Sequence, residues 1–214
     1  MTIKGWIVLA VAGALLAGCD QKVDPASSAK AHAVLQRTKT NRGTYAMYNW
    51  NRLTLEGGQT KEIYGTEFNA GSKHRVEVPA VQIVADCDAH TAVTRTMSDG
   101  QENADPASAD SACGINTAKP IRKMEWLGQV DTPYGKADRI RITDADDIRT
   151  YTVDADGVLL AETMARNTFG QPVFFETRAY VLRRDLPSAS MFDRATLAQV
   201  FTPEAYRTRA GYPR

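Results

Sequence analysis

The chain has 214 residues, 26 basic and 25 acidic side chains and a formal net charge of +1. That near-neutral balance gives no electrostatic reason to expect nucleic acid or an anionic surface as partner. The length suits one domain with a core of its own, in no need of metal or dense cross-linking.

Residues 1–18 carry a single charge, Lys4, ahead of an apolar run over residues 6–17. A basic start, an apolar stretch and small residues before a cysteine form the layout of a bacterial secretion signal. The run is shorter than the roughly 20 residues that a membrane span needs, and Asp20, Gln21 and Asp24 follow at once. Its ending, Leu16-Ala17-Gly18-Cys19, resembles the lipobox of bacterial lipoproteins. The resemblance implies a cut before Cys19, diacylation of its sulfur and acylation of the new amino group, so palmitate-type chains tether the protein. Residues 19–24 would then be a lipidated tether facing the periplasm, and residues 25–214 a single domain. Asp20 resembles the inner-membrane retention signal of enteric bacteria, which favours the inner over the outer membrane.

Asp24-Pro25 reads as an N-cap followed by proline at the first helical position. Ala31, Val34, Leu35 and Thr38 recur at helical spacing, which predicts one amphipathic helix over residues 25–38. Strand patterns then occupy 44–55, 61–68, 74–78, 81–85 and 91–97, separated by turn chemistry such as Gly57-Gly58 and a break at Pro79. Residues 99–111 are polar and turn-rich, and the stretch to about 118 reads as an irregular excursion. With Cys19 committed to lipid, Cys87 and Cys113 remain, and an even pair in an oxidising compartment is read as a disulfide around this excursion. The metal alternative has only His32, His74 and His90 to join the two cysteines, without zinc-like spacing, so no metal or other cofactor is expected.

Strand patterns resume over 121–130, 136–143, 148–153, 158–166 and 172–182. Connections of about four residues leave no room for crossover helices, so these strands form an antiparallel meander. About ten strands should curl into an unclosed or half β-barrel, since a flat sheet that wide is unusual. Met191, Leu197, Val200 and Phe201 predict a closing helix over 191–201. The fold class is therefore mainly β, α+β, with N-terminal and C-terminal helices packed on one curled sheet.

The last third is similar to the bacterial lipoprotein carrier and receptor family. The residues concerned are Gly157-Val158-Leu159-Leu160, Asn167-Thr168-Phe169-Gly170-Gln171, the strand over 174–182, and Leu186-Pro187 leading to Phe192. The resemblance implies an unclosed barrel lined with apolar side chains and covered by helices, holding acyl chains or another hydrophobic ligand.

Tyr48, Trp50, Ile140, Ile142, Leu160 and Phe174 are the candidate lining residues, on the faces that strand alternation would turn toward the helices. Val173, Phe175 and Val181 fall on the other face of the last strand, which is then either covered on that side too or a docking surface for a partner. His74 shares a strand face with Val76 and Val78, and Arg75 and Glu77 share the opposite one; such a histidine reads as filler. Asp154-x-Asp156-Gly157 starts like a calcium loop but fails at Val158 and Ala165, and a β-turn accounts for it. No Gly-x-Ser-x-Gly, His-Glu-x-x-His or Ser-x-x-Lys motif occurs, so no catalytic residues are assigned. The sequence thus predicts a membrane-anchored, non-enzymatic lipoprotein that binds a hydrophobic ligand. Two alternatives remain. An assembly lipoprotein would have a filled core and an envelope protein as partner. An envelope hydrolase would gather titratable groups of shifted pKa in a cleft.

Overall fold

The computed structural model describes residues 24–41, 43–55, 57–168 and 172–210. Cys19 with its tether, and Phe169-Gly170-Gln171 of the turn motif, lie outside the described residues. Helix α1 (Pro25–Lys39) opens on Asp24, whose carboxylate accepts the Ala26 N–H at 3.1 Å, with proline at the first turn. Arg37 and Lys39 stand in its last turn, where the helix dipole favours cations.

Eleven strands follow: β1 (Tyr45–Thr54), β2 (Thr60–Ala70), β3 (Lys73–Val78), β4 (Val81–Asp86), β5 (Thr91–Thr96) and β6 (Glu102–Ala104). After helix α2 (Pro106–Ala112) come β7 (Lys123–Thr132), β8 (Gly135–Thr143), β9 (Asp147–Asp154), β10 (Leu159–Arg166) and β11 (Val173–Arg183). They form one open antiparallel sheet in the order β6-β5-β4-β3-β2-β1-β11-β10-β9-β8-β7. The mainly β, unclosed half-barrel with packed helices is thus the observed fold. Its last strand returns beside the first, so the sheet is two meanders joined at β1 and β11. Strands β6 and β7 are its two edges, and residues 105–122 carry the chain from one edge to the other.

That crossing is not irregular, as its composition suggested. Asp105 caps α2 by accepting the Ala107 N–H at 2.9 Å, and Pro106 takes the first turn. Ala109 and Ala112 pack on Ala85 and Ala92 of β4 and β5. Cys113 is bonded to Cys87 with their Cα atoms 5.4 Å apart, pinning the end of α2 to the sheet.

One sheet face carries both helices. Ala31, Val34 and Leu35 of α1 are sealed against Met124, Ile140, Ile142, Tyr151 and Val153. Each such buried aliphatic side chain stabilises by about 1.5–3 kcal/mol. The Ser27 hydroxyl also bonds both the N–H (2.9 Å) and the C=O (3.1 Å) of Trp126, so α1 blunts the edge strand β7. Two glycines with positive φ let the chain approach the end of α1. A Cβ at Gly157 would lie 2.4 Å from the Arg37 carbonyl oxygen, and one at Gly114 2.9 Å from that of Thr38.

The opposite face is covered by the C-terminal segment. A helix over 191–201 was expected; the chain instead makes two single turns, Ala189–Phe192 and Arg194–Thr196, and helix α3 (Glu204–Ala210) begins later. The reason lies in β3. Arg75, fully buried, donates to the carbonyls of Met191 (2.7 Å), Thr196 (3.3 Å) and Gln199 (2.6 Å), and to Glu77 (2.7 Å). Glu77, also fully buried, accepts the Phe201 and Thr202 N–H groups and the Thr202 hydroxyl (2.6 Å). Backbone groups taken by these two side chains are not available to a helix.

Breaking a buried pair by removing one partner costs about 3–5 kcal/mol, whereas replacing both by apolar groups costs far less. Arg75→Leu is therefore expected to destabilise by about 3–5 kcal/mol, and Arg75→Leu with Glu77→Leu by less than the sum of the single losses. Urea unfolding of the three variants measures this; additive losses would mean that the two side chains act independently.

Candidate functional site

On the helix face, α1 does not cover the whole sheet. Between its last turn, the disulfide-held end of α2 and strands β1, β2, β3, β10 and β11 lies a cavity of about 200 Å³. Its lining mixes polar and apolar groups: Tyr45, Asn51, Glu67, Asn69, His74, Val76, Leu159, Glu162, Phe175 and Thr177, under Thr38, Lys39 and the Cys87–Cys113 bridge. Pairing brings the key groups together, since Asn69 sits opposite His74 and Met47 opposite Glu67.

Glu67 is the centre. Asn49 Nδ2 donates to its Oε1 at 2.6 Å, and its Oε2 lies 3.8 Å from His74 Nε2. Burial pushes the Glu67 carboxyl up to about 7; the Asn49 hydrogen bond opposes that shift and the charge of Glu162 adds to it. Burial also raises Glu162, against a Tyr151 hydrogen bond and the nearby Arg149. His74 is pushed down to about 4 by burial and is neutral near pH 7.

The hydrogen bonds set the tautomer of that histidine. Asn69 Nδ2 donates to the Gly43 carbonyl at 2.6 Å, which leaves Asn69 Oδ1 facing His74 Nδ1 at 3.3 Å as an acceptor. His74 then carries its proton on Nδ1 and turns the Nε2 lone pair toward Glu67. Asn49 Oδ1, buried beside Glu67, has no hydrogen-bond partner. Glu67 and the His74 Nε2 lone pair therefore face the cavity as acceptors, and an occupant that brings N–H or O–H donors satisfies them.

None of the six candidate lining residues borders this cavity. Tyr48 lies on the C-terminal face, stacked 3.9 Å from the Tyr206 ring of α3. Trp50 sits between the Arg52 and Arg178 guanidiniums, at 5.5 and 5.7 Å. Ile140 and Ile142 are fully enclosed against α1. Leu160 belongs to a second cluster with Tyr45, Met47, Ala137 and Val158. Phe174 packs under Arg166, 4.6 Å from its ring, at a point where the β10–β11 register slips by one residue. A second slip, of β11 against β1 between Tyr48 and Asn49, puts Phe175 with Thr177 on the cavity side and so removes it from the proposed docking face. His74, read as filler, and Glu67 and Glu162, unremarked, are the residues that meet. Their spacing in the sequence carries no sign of this, because only the register of β3, β2, β1, β11 and β10 against one another aligns them.

No family model and no curated protein matches the chain in sequence. Solved structures do match it in fold. An uncharacterized conserved protein from Thermus thermophilus is 12% identical with a TM-score of 0.52, over 77% of this chain and 93% of that one. A LolA superfamily protein from Nitrosomonas europaea is 10% identical with a TM-score of 0.44, over 78% and 99%. MucB is 14% identical with a TM-score of 0.45, over 81% and 66%. The first of these likenesses shows a shared fold.

The two displaced pKa values give opposite stability slopes. The folded value of Glu67, about 7, lies above its ordinary 4.5, so the folded state holds the extra proton between them and stability falls as pH rises. The folded value of His74, about 4, lies below its ordinary 6.5, so the unfolded state takes the extra proton and stability falls as pH drops. Between pH 4.5 and 6.5 the two offset, with Glu162 adding a small slope of the Glu67 sign. Wild type should be nearly flat there, Glu67→Gln should gain stability with rising pH, and His74→Asn should lose it. Each slope should reach up to about 1 kcal/mol per pH unit. Chemical denaturation across that window reads the slopes, and three parallel curves would contradict the burial of both groups.

Proposed function

We propose that this protein is an envelope lipoprotein, anchored through Cys19 on the periplasmic side of the inner membrane, whose half-barrel is a non-enzymatic binding module. The observation that carries the reading is the cavity between sheet and helices, closed over by a disulfide-held helix. Its lining favours a small ligand with N–H or O–H donors over the hydrophobic ligand expected from sequence. A bare acyl chain would cover the Glu67 carboxylate and the His74 Nε2 lone pair without offering either a donor, at about 1–3 kcal/mol per stranded polar group. Its volume is also below the ~300–1,000 Å³ of typical ligand sites, which suits a compact molecule. The filled core beneath α1 fits an assembly role as well. Yet the large exposed apolar side chains among the described residues are only Leu55, Leu127 and Val173.

A second reading rests on the same residues. Titratable groups with displaced pKa values converging in a cavity are also the arrangement of an acid–base catalyst, and a carboxyl near 7 is poised to move a proton. Native mass spectrometry of the purified protein, followed by incubation with whatever small molecule co-purifies, separates the two. A binding module returns the ligand unchanged and loses affinity in Glu67→Leu. A catalyst returns it altered. Anchoring is tested by palmitate labelling, which Cys19→Ala should abolish; label retained in that variant would overturn the lipoprotein assignment.

A further inference from the structure

The face of the sheet away from the cavity carries a second, unlike site. Arg139, Thr152, Ala161 and Arg178 are successive cross-strand partners on β8, β9, β10 and β11. Their sequence neighbours Glu162 and Thr177 line the cavity, so this row points to the other side of the sheet. Along it runs a groove of about 370 Å³, walled by the β7–β8 hairpin at Asp131, Thr132, Pro133 and Tyr134. Leu160, Ala179 and Val130 also line it, and they belong to the cluster that holds Met47 and Val158. The groove therefore opens onto buried apolar packing.

Its charge is lopsided. Arg139 is exposed and makes no hydrogen bond or ion pair among the described residues. Arg178 also lines the groove, and its guanidinium pairs with Glu176 and lies 5.7 Å from the Trp50 ring. The one acidic lining residue, Asp131, is 86% exposed and already paired with Lys136 at 3.0 Å. An apolar lining beside two arginines complements a molecule with one anionic head and one alkyl chain. It does not complement a cation. A flat sugar ring is disfavoured too, because the Trp50 ring that could stack on it is already taken by the Arg52 and Arg178 guanidiniums.

We propose that this groove binds a single-chain carboxylate amphiphile, its head between Arg139 and Arg178 and its chain along Leu160 and Ala179. The ligand differs in sign and polarity from the donor-bearing occupant of the cavity, and the site stands whether or not the cavity is filled. The test is isothermal titration of the protein lacking residues 1–18, which keeps every described element, with octanoate, decanoate, decanol and decyltrimethylammonium below their micelle concentrations. Decanoate should bind at least about tenfold more tightly than decanol or the ammonium compound, and more tightly than octanoate by about fourfold per methylene. Arg139→Gln and Arg178→Gln should each weaken decanoate about tenfold. Arg139 is exposed and unpaired among the described residues, so Arg139→Gln should leave the melting temperature unchanged, whereas Arg178→Gln also loses its pair with the buried Glu176 and should lower it. Backbone amide shifts should move at Ala161 and Ala179 and not at His74. Absence of decanoate binding, equal binding of decanol, indifference to both arginine variants, or shifts confined to the cavity would each overturn the proposal.

Discussion

An open antiparallel sheet can leave one face in water, and over β1–β3 it is the buried Arg75–Glu77 pair on β3 that holds a cover on that face. Neither side chain is accessible, and together they bond the backbone of the C-terminal segment from Met191 to Thr202. A buried ion pair recovers its desolvation cost only when the remaining donors and acceptors are also satisfied. Here the carbonyls of Met191, Thr196 and Gln199 and the N–H groups of Phe201 and Thr202 do so, and Gln82 adds a bond to Arg75 at 3.1 Å. The segment is thus held through its backbone as well as by the buried side chains of Met191 and Leu197. The stack of Tyr206 on Tyr48 extends the cover to β1.

The same strand serves the other face. His74 and Val76 alternate with Arg75 and Glu77, so the strand that fixes the C-terminal segment also places an imidazole in the cavity. The hollow survives because α1 fills only the β7–β9 side with bulky aliphatics. The β1–β3 side meets small residues at the ends of the helices, with Ala112, Gly114 and Gly157 at the rim. The absence of a side chain at the two glycines lets both loops close on α1. Burial then acts on whatever titratable groups face inward, raising Glu67 and Glu162 and lowering His74.

Local signals in the sequence were legible wherever one element sufficed to state them. Asp24-Pro25 predicted α1, and alternation separated His74 and Val76 from Arg75 and Glu77 correctly. The same Asp-Pro signal at Asp105-Pro106 was masked by the polar, alanine-rich segment around it, whose helix packs on alanines and shows no bulky apolar stripe. The closing helix failed because its backbone bonds go to side chains more than a hundred residues away. Phe174 and Phe175 exchanged faces through one slip of β11 against β1 that no pattern of residues announces. The lipid-accepting cavity inferred from aromatic and aliphatic positions was misplaced for a related reason. Those side chains either complete the core or lie on the other face, while the actual hollow depends on the register of strands distant in sequence.

The account turns on a polar, buried cavity in which Glu67 is held near neutrality. Carbon-detected NMR titration of the Glu67 side-chain carboxyl, assigned by comparison with Glu67→Gln, measures this directly. A midpoint close to 7 is predicted, with a chemical-shift response at His74 over the same pH range. A midpoint at the ordinary value of 4.5, with His74 titrating separately near 6.5, would mean open, solvated side chains and would contradict the cavity.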